Sequence, residues 1–399
     1  MGGETRAHAG MTALAVAFPS VRRTNEHWRR HHAAKVQEAE QLTLAKLWSA
    51  PERARGAAPS AFERTMQPYL EDPFRGAVER RLRAPGEPAL AMELEAARGA
   101  LGAAGLDTEQ VDLTLMTSFV GDRFGVGNAA YLADALGLTT PAWNYETACS
   151  GSVVGLHMAA SLVSSGEYGR VLVVASTSNS VQVVDDDSLG WFVGDGAGAF
   201  VVERVPEGFG VLGHATLNSV GTNDMFVIDS VPDGAGSTRL CTRANERAAQ
   251  MARDTAEPYL RATVSAALAR ASVALGAVAF WVFNTPNAWY ADFCALALGV
   301  AEERYHSVYP RYANIGAALM PATLYHALHE RRVGPGGPGG VDSIGSTSTA
   351  SAAVARFGEV ALGPYPEPPP LADAPAHEVQ DAPARVLPRS DANEEGGDR

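Results

Sequence analysis

The sequence predicts an α/β protein whose second half repeats the first, and three observations carry that expectation. Residues 111–118 and 170–176 are apolar runs rich in Val and Leu, and an apolar stretch at helical spacing lies between them. Strand, helix and strand in that order make a βαβ unit with a parallel pair. Residues 252–357 then run through the same order again: a long helix, a strand at 278–283, further helices and a closing strand. At 399 residues, with 46% hydrophobic and 19% charged residues, the chain can bury a large core as two domains or a duplicated one.

Taken in order, residues 1–10 read as a disordered leader and 11–18 as a first strand that stops at Pro19. Residues 24–50 are helical in character. Residues 51–90, rich in Arg, Pro and Glu, read as helices and loops that cap the site. An amphipathic helix spans 88–106 on Leu90, Met92, Leu94, Ala97 and Leu101. The strand at 111–118 and a helix at 129–136, stopped by Gly137, follow. The strand at 170–176 leads to Gly194-Asp195-Gly196-Ala197-Gly198, a phosphate-loop composition with no helix directly after it. A dinucleotide site therefore lacks its context, and a tight turn under a neighbouring loop is the simpler expectation. In the second half a helix at 252–276, the strand at 278–283, a turn at 284–287 and a helix at 289–298 capped by Gly299 are expected. Another helix runs from about 312 to His329, a Gly/Pro linker spans 334–340, and the last strand ends near Phe357. The halves divide at 11–205 and 206–360, and the acidic, Pro-rich 361–399 reads as a disordered tail.

The centre of the chain is Tyr145-Glu146-Thr147-Ala148-Cys149-Ser150-Gly151, an extended run that turns at a cysteine into a helix continuing through Leu156, Met158, Ala159, Leu162 and Val163. Cys149 then sits at a helix N-terminus, where free N–H groups and the dipole favour the nucleophilic thiolate. Against this, a cysteine in an alanine-rich segment is more often a small buried hydrophobe.

Composition excludes several classes of function. The net charge of −13 argues against nucleic acid. The apolar runs fall short of the roughly 20 residues of a membrane helix. Three cysteines do not make a disulfide framework, so a reducing cytoplasm is the expected compartment. No cofactor and no metal are expected. His27 and His31 have a metal-compatible spacing but no further ligand pattern, and a solvated helix face is the simpler reading. Arg75, Arg80, Arg81 and Arg83 read either as a solvated helix face or as a patch for a phosphate or an acidic carrier; Arg22, Arg23, Arg29 and Arg30 form a second candidate patch. Trp191 and Phe192 are expected at the entrance, and residues 119–124 and 215–245 around a substrate tunnel.

Several segments in register resemble the thiolase-like condensing enzymes, specifically the β-ketoacyl-acyl-carrier-protein synthase III family. They are the Cys149 stretch, Gly194-Asp195-Gly196-Ala197-Gly198-Ala199, the turn at 284–287 with Leu298-Gly299-Val300, Tyr312-Ala313-Asn314, and Ile344-Gly345-Ser346-Thr347. The resemblance spans about residues 11–358. It implies a thiolase-like fold, two βαβ-rich halves in five layers α-β-α-β-α, and a homodimer. It also implies that Cys149 takes an acyl group from an acyl-CoA or acyl-carrier-protein thioester. The backbone N–H groups of Cys149 and Ser346 would form the oxyanion hole, and Asn314 would hold the second substrate.

The chain departs from that pattern where the family has a histidine: the turn reads Asn-Thr-Pro-Asn in place of His-Gln-Ala-Asn, so Asn284 stands at the histidine position. An amide donates hydrogen bonds but cannot act as a base near neutral pH. His306, His157 and His214 are the candidates to replace it. Three readings remain: an acyltransferase that condenses with a malonyl-type thioester or transfers to oxygen or nitrogen, a low-activity partner subunit of a heterodimer, and a thioesterase or acyl-carrier binder.

Overall fold

The computed structural model describes residues 8–43, 59–123, 125–183, 188–232, 238–334, 336–344 and 349–371. The first half runs β1 (Ala9–Ala17), β2 (Val21–Thr24), α1 (Asn25–His31), α2 (Ala33–Thr43), α3 (Ala61–Met66), β3 (Glu79–Leu82), α4 (Ala89–Ala104), β4 (Leu113–Phe119), α5 (Ala129–Leu136), β5 (Ala142–Asn144), α6 (Gly151–Ser165), β6 (Arg170–Ser178) and β7 (Asp195–Arg204). The second runs β8 (Gly210–Asn218), β9 (Phe226–Pro232), β10 (Thr238–Ala244), α7 (Ala248–Ala271), β11 (Phe280–Phe283), α8 (Tyr290–Leu298), α9 (Tyr309–Tyr312), α10 (Leu319–His329), β12 (Pro338–Ile344) and β13 (Thr349–Arg356), followed by β14 (Ala361–Leu362).

The duplication is visible in the strand pairing. The larger sheet has the order β14-β1-β7-β6-β4-β5, the smaller β11-β12-β13-β8. In the first, β1 pairs antiparallel with β7, β7 antiparallel with β6, and β6 parallel with β4. In the second, β8, β13, β12 and β11 follow the same series of antiparallel, antiparallel and parallel. Three large cores fill the stack of five layers. One packs α4 and α5 on the outer face of the larger sheet. A second buries α6 and α10 between the sheets. A third packs α7 and α8 on the outer face of the smaller sheet. Within α6, Val153, Leu156 and Val163 are at most 1% exposed, and each contributes on the order of 1.5–3 kcal/mol by leaving water.

Glycine admits two close approaches that position the site. A Cβ on Gly198 of β7 would lie 2.4 Å from Pro321 of α10, and one on Gly340 of β12 would lie 2.3 Å from the Trp281 ring. The glycine-rich run from 194 is therefore the start of a strand pressed against its neighbours, and the expected Gly/Pro linker at 334–340 ends inside a central strand.

Other expectations are corrected. β1 begins at Ala9, inside the expected leader. The tail remains packed to Leu371: β14 pairs parallel with β1, and Leu371 bridges Arg22. Residues 79–82 form a strand paired with β2, not a helix face. The 215–245 stretch is no simple loop but contains the antiparallel hairpin β9–β10. One helical stretch, Ala148–Ser165, is long and apolar enough by length and composition to cross a membrane. That stretch is 61% buried inside the protein, as the core helix of the middle layer.

Candidate active site

Cys149 occupies a 3₁₀ turn, Ala148–Ser150, that runs directly into the fifteen-residue helix α6. The turn is tightly held. Ala148 has φ +52°, a left-handed conformation that costs a non-glycine residue about 1–2 kcal/mol. The Glu146 carboxylate accepts its N–H at 2.6 Å. The Ser150 hydroxyl donates to the Thr147 carbonyl at 2.7 Å and the Tyr145 hydroxyl to the Gly151 carbonyl at 2.8 Å. Gly151 is required here because a Cβ would lie 2.6 Å from Thr117. Ala148 and Ser150 are buried, while Cys149 between them retains partial exposure. The sulfur bearer is thus fixed at a helix head and remains partly accessible.

Asn314 reaches the same place from the second half. It follows α9 and precedes a second 3₁₀ turn, Gly316–Ala318, which packs against the Cys149 turn and runs into α10. Its N–H donates to the Phe192 carbonyl at 2.9 Å, and its carbonyl accepts the Gly194 N–H at 3.0 Å. Its side-chain Oδ1 accepts the Gly316 N–H at 2.9 Å, so Nδ2 is the end of the amide left as a donor. The glycine at 194 has no substitute, since a Cβ would lie 2.3 Å from the Tyr312 carbonyl.

Asn284 ends β11. Its N–H donates to the Asp342 carbonyl at 2.9 Å on β12, and β12 in turn packs against the Cys149 turn. The side chain is 2% exposed, and neither Oδ1 nor Nδ2 has a partner among the described residues. Buried amides are rarely left unpaired. An amide in this state is set to bond a ligand, as a donor from Nδ2 and an acceptor at Oδ1. Ser346 lies outside the described residues.

The arginine cluster is placed differently from expectation. Arg80 is fully buried; it donates through Nε to the Trp191 carbonyl at 2.7 Å and also to Asn25 Oδ1. Its guanidinium stacks 4.6 Å over Trp28 and 5.4 Å over Phe74, and burial lowers its pKa to about 9. Arg75 donates to the Tyr69 and Leu70 carbonyls at 2.6 and 2.8 Å. Arg81 is 2% exposed and sits over the Tyr312 ring. Arg83 pairs with Asp122 at 2.9 Å. Asp122, from the expected tunnel segment, also accepts the Ala89 and Leu90 N–H groups at the head of α4. These side chains hold the interior together and do not form a docking patch. Trp191 is likewise 1% exposed, inside a core with Trp28 and Phe74, and not at an entrance. Phe192 is partly buried against the same core, and its backbone carbonyl is what holds Asn314.

The candidate replacement histidines are elsewhere. His157 stacks on His214 with ring centroids 3.3 Å apart. Burial first, then His214 and Arg270, lower the His157 pKa to about 4. His306 has Glu330, Arg332 and Arg311 as its charged neighbours, at the far end of α10. Of the HxxxH pair, His27 is buried edge-on to Trp28 and only His31 is exposed, so the pair is not one solvated face.

Sequence reasoning missed Tyr290 and Asp342. Tyr290 opens α8 and is 7% exposed. Its pKa is raised far above the ordinary value, by burial first and then by Cys294, Asp342 and Cys149. Asp342 is 1% exposed, accepts a hydrogen bond from Thr263 Oγ1 at 3.1 Å, and is pushed up to about 8 by burial. An isolated Asp in an apolar strand pattern was the only available signal.

Two family models match the chain: 3-oxoacyl-[acyl-carrier-protein] synthase III over residues 144–221, and the C-terminal part of the same synthase over residues 268–357. Beta-ketoacyl-[acyl-carrier-protein] synthase III 2 of Streptomyces coelicolor is 34% identical over 271 residues, 66% of this chain and 77% of its own length. The synthase III of Roseiflexus castenholzii is 29% identical, over 71% of this chain and 87% of its own. Among solved structures, the synthase III FabH of Pseudomonas aeruginosa superposes with TM-score 0.70 at 22% identity, covering 88% of this chain and 98% of that one. The priming β-ketosynthase of the R1128 polyketide pathway gives 0.69 at 21%, covering 92% and 99%. At these identities the structural likeness speaks for the fold.

Proposed function

This chain belongs to the β-ketoacyl-[acyl-carrier-protein] synthase III family, a family of transferases, and from that premise we propose that it is an acyltransferase working through an acyl-Cys149 thioester. The Cys149 sulfur bonds to the carbonyl carbon of an acyl-CoA or acyl-carrier thioester, the donor's C–S bond breaks, and the departing thiolate takes the cysteine proton. A malonyl-type thioester then loses CO2, and the electron pair left behind develops as an enolate. The enolate carbon attacks the acyl carbonyl and Cys149 leaves as thiolate.

The single observation that carries this reading is the state of Asn284: buried, unpaired among the described residues, and tied through Asp342 to the strand beside the cysteine turn. With Asn314 Nδ2 it supplies neutral donors for an enolate oxygen, a task that needs no proton transfer. Transfer to an alcohol or amine would need a base, which an amide is not; condensation is therefore favoured over ester or amide formation. The departure from the family histidine favours a specialised polyketide- or fatty-acid-like pathway.

A homodimer fits the edge strand β5. One edge pairs with β4 and the other is open, with Trp143 44% exposed on it and Val126 63% exposed nearby. The test of function is intact mass after incubation with acyl-CoAs, followed by CO2 release from a malonyl thioester. An acyl adduct lost in Cys149→Ala, with CO2 release, is expected. No adduct from any donor would indicate a pseudo-subunit, and turnover to free acid alone would indicate a thioesterase.

A further inference from the structure

The two 3₁₀ turns of the middle layer share a hydrogen-bonding pattern, and it gives a role to a carboxylate that the proposed chemistry leaves unused. Each turn begins with a left-handed residue, Ala148 in the first half and Gly316 in the second. In each, the side chain two positions earlier accepts that residue's N–H: Glu146 Oε1 from Ala148 at 2.6 Å, and Asn314 Oδ1 from Gly316 at 2.9 Å. In each, a threonine of the larger sheet braces the arrangement. Thr117 of β4 donates through Oγ1 to Glu146 Oε2 at 3.4 Å, and Thr177 Oγ1 of β6 accepts the Ala317 N–H at 3.1 Å. Glu146 therefore holds in the first half the place that Asn314 holds in the second, and the two turns pack against each other.

The first turn needs such a hold more than the second. Glycine adopts φ near +50° freely, whereas a Cβ makes the same conformation unfavourable at Ala148. Relaxation of Ala148 to negative φ would reorient the peptide between Thr147 and Ala148 and, with it, the entry to Cys149, the next residue. Both ends of that peptide are tied. Its N–H goes to Glu146, and its carbonyl, that of Thr147, accepts the Ser150 hydroxyl at 2.7 Å. Reorientation would break both bonds at once. Thr117 is buried while Glu146 itself is exposed, so the hold comes from the hydrogen bonds and not from filling a core.

We propose that Glu146 is a positioning residue for the nucleophile: its carboxylate clamps the Thr147–Ala148 peptide and so fixes the direction in which Cys149 is presented. Glu146 takes no part in bond making; it acts only through the turn. The proposal rests on the acyl-Cys149 reading above.

Variants of the clamp, read by acylation and by alkylation, test it. Glu146→Ala leaves no buried space, and its Cys149 should accept an acyl group from acyl-CoA roughly 10–10²-fold more slowly, as for a displaced reacting atom. Iodoacetamide needs only an accessible thiolate and should alkylate Cys149 in the same variant within about threefold of the wild-type rate, read by peptide mass. Glu146→Gln keeps an acceptor oxygen and should recover acylation to within about threefold of wild type. Ser150→Ala frees the other end of the same peptide, and the double variant with Glu146→Ala should lose little more than the larger single loss, because the two bonds act as one unit. Acylation by Glu146→Ala at the wild-type rate overturns the proposal. So does a failure of Glu146→Gln to recover, which would give the role to the charge, and so does alkylation that changes in step with acylation, which would mark general loosening of the turn. A wild-type protein that takes no acyl group while iodoacetamide still alkylates Cys149 overturns the acyl-enzyme reading and this proposal with it.

Discussion

Helices α6 and α10 are the same element in the two halves of the fold, and the turns that lead into them differ in one instructive way. Both are 3₁₀ turns of three residues that run straight into a buried helix of the middle layer. Both use a left-handed residue at the entry, Ala148 with φ +52° in the first and Gly316 with φ +51° in the second. Glycine adopts that conformation without cost; alanine does not. The strained turn presents the one group that would change its covalent state, Cys149. The relaxed turn follows Asn314, whose Oδ1 accepts the Gly316 N–H and whose Nδ2 is left to donate. On the proposed function one half would react and the other would hold, and the loop at 191–194 joins them by clasping Asn314.

The largest expected effect falls on the reacting half. Cys149→Ala should abolish both the acyl adduct by intact mass and all product. Residual turnover at the wild-type rate would move the nucleophile elsewhere and end the division of labour between the halves.

Asn314→Ala strikes the holding half and should separate the steps. CO2 release is expected to fall about 10²–10³-fold, with the adduct on Cys149 still forming; equal losses in both steps would erase the distinction. Arg80→Ala strikes the support of that clasp, taking the guanidinium donor from the Trp191 carbonyl and from Asn25 Oδ1. A loss of about 2–4 kcal/mol in denaturant unfolding is expected, and Arg80→Lys should not fully restore it because the fork is lost. A surface-like effect below about 0.5 kcal/mol would return Arg80 to the docking role.

Asn284→His restores a titratable group to the holding half. A rate gain of at least about tenfold, below the full range for general-base assistance, should appear as a new pH-dependent limb near pH 6–7. A flat profile would mean the site has no use for a base.

The last effect is on stability and follows pH. Asp342 keeps its proton in the folded chain up to about pH 8, whereas the unfolded chain releases it near an ordinary carboxylate value of about 3.9. The native state therefore binds the extra proton in between, and stability falls as pH rises through that window. Asp342→Asn removes this term. The melting temperature of the variant should gain on the wild type from pH 5 to pH 8, and parallel curves would show that Asp342 is ionised when folded.

The sequence by itself determined the frame. Apolar periodicity and glycine stops located α4, α5, α6, β4, β6 and α8 within a few residues, because those elements bury one face or both and their pattern is local. Quoted motifs in register were enough to single out Cys149, Asn284 and Asn314. Tertiary structure alone decided what the polar residues do. Arg75, Arg80 and Arg81 look like a solvated face in one dimension and are buried in three, where a backbone carbonyl more than a hundred residues away accepts from Arg80. Trp191 likewise turned inward. Tyr290 carries no local signal and Asp342 only that of a lone Asp in a strand pattern, since their meaning depends on burial and on which neighbours surround them. Burial and pairing are properties of contacts between distant segments, and no periodicity in a single segment encodes them.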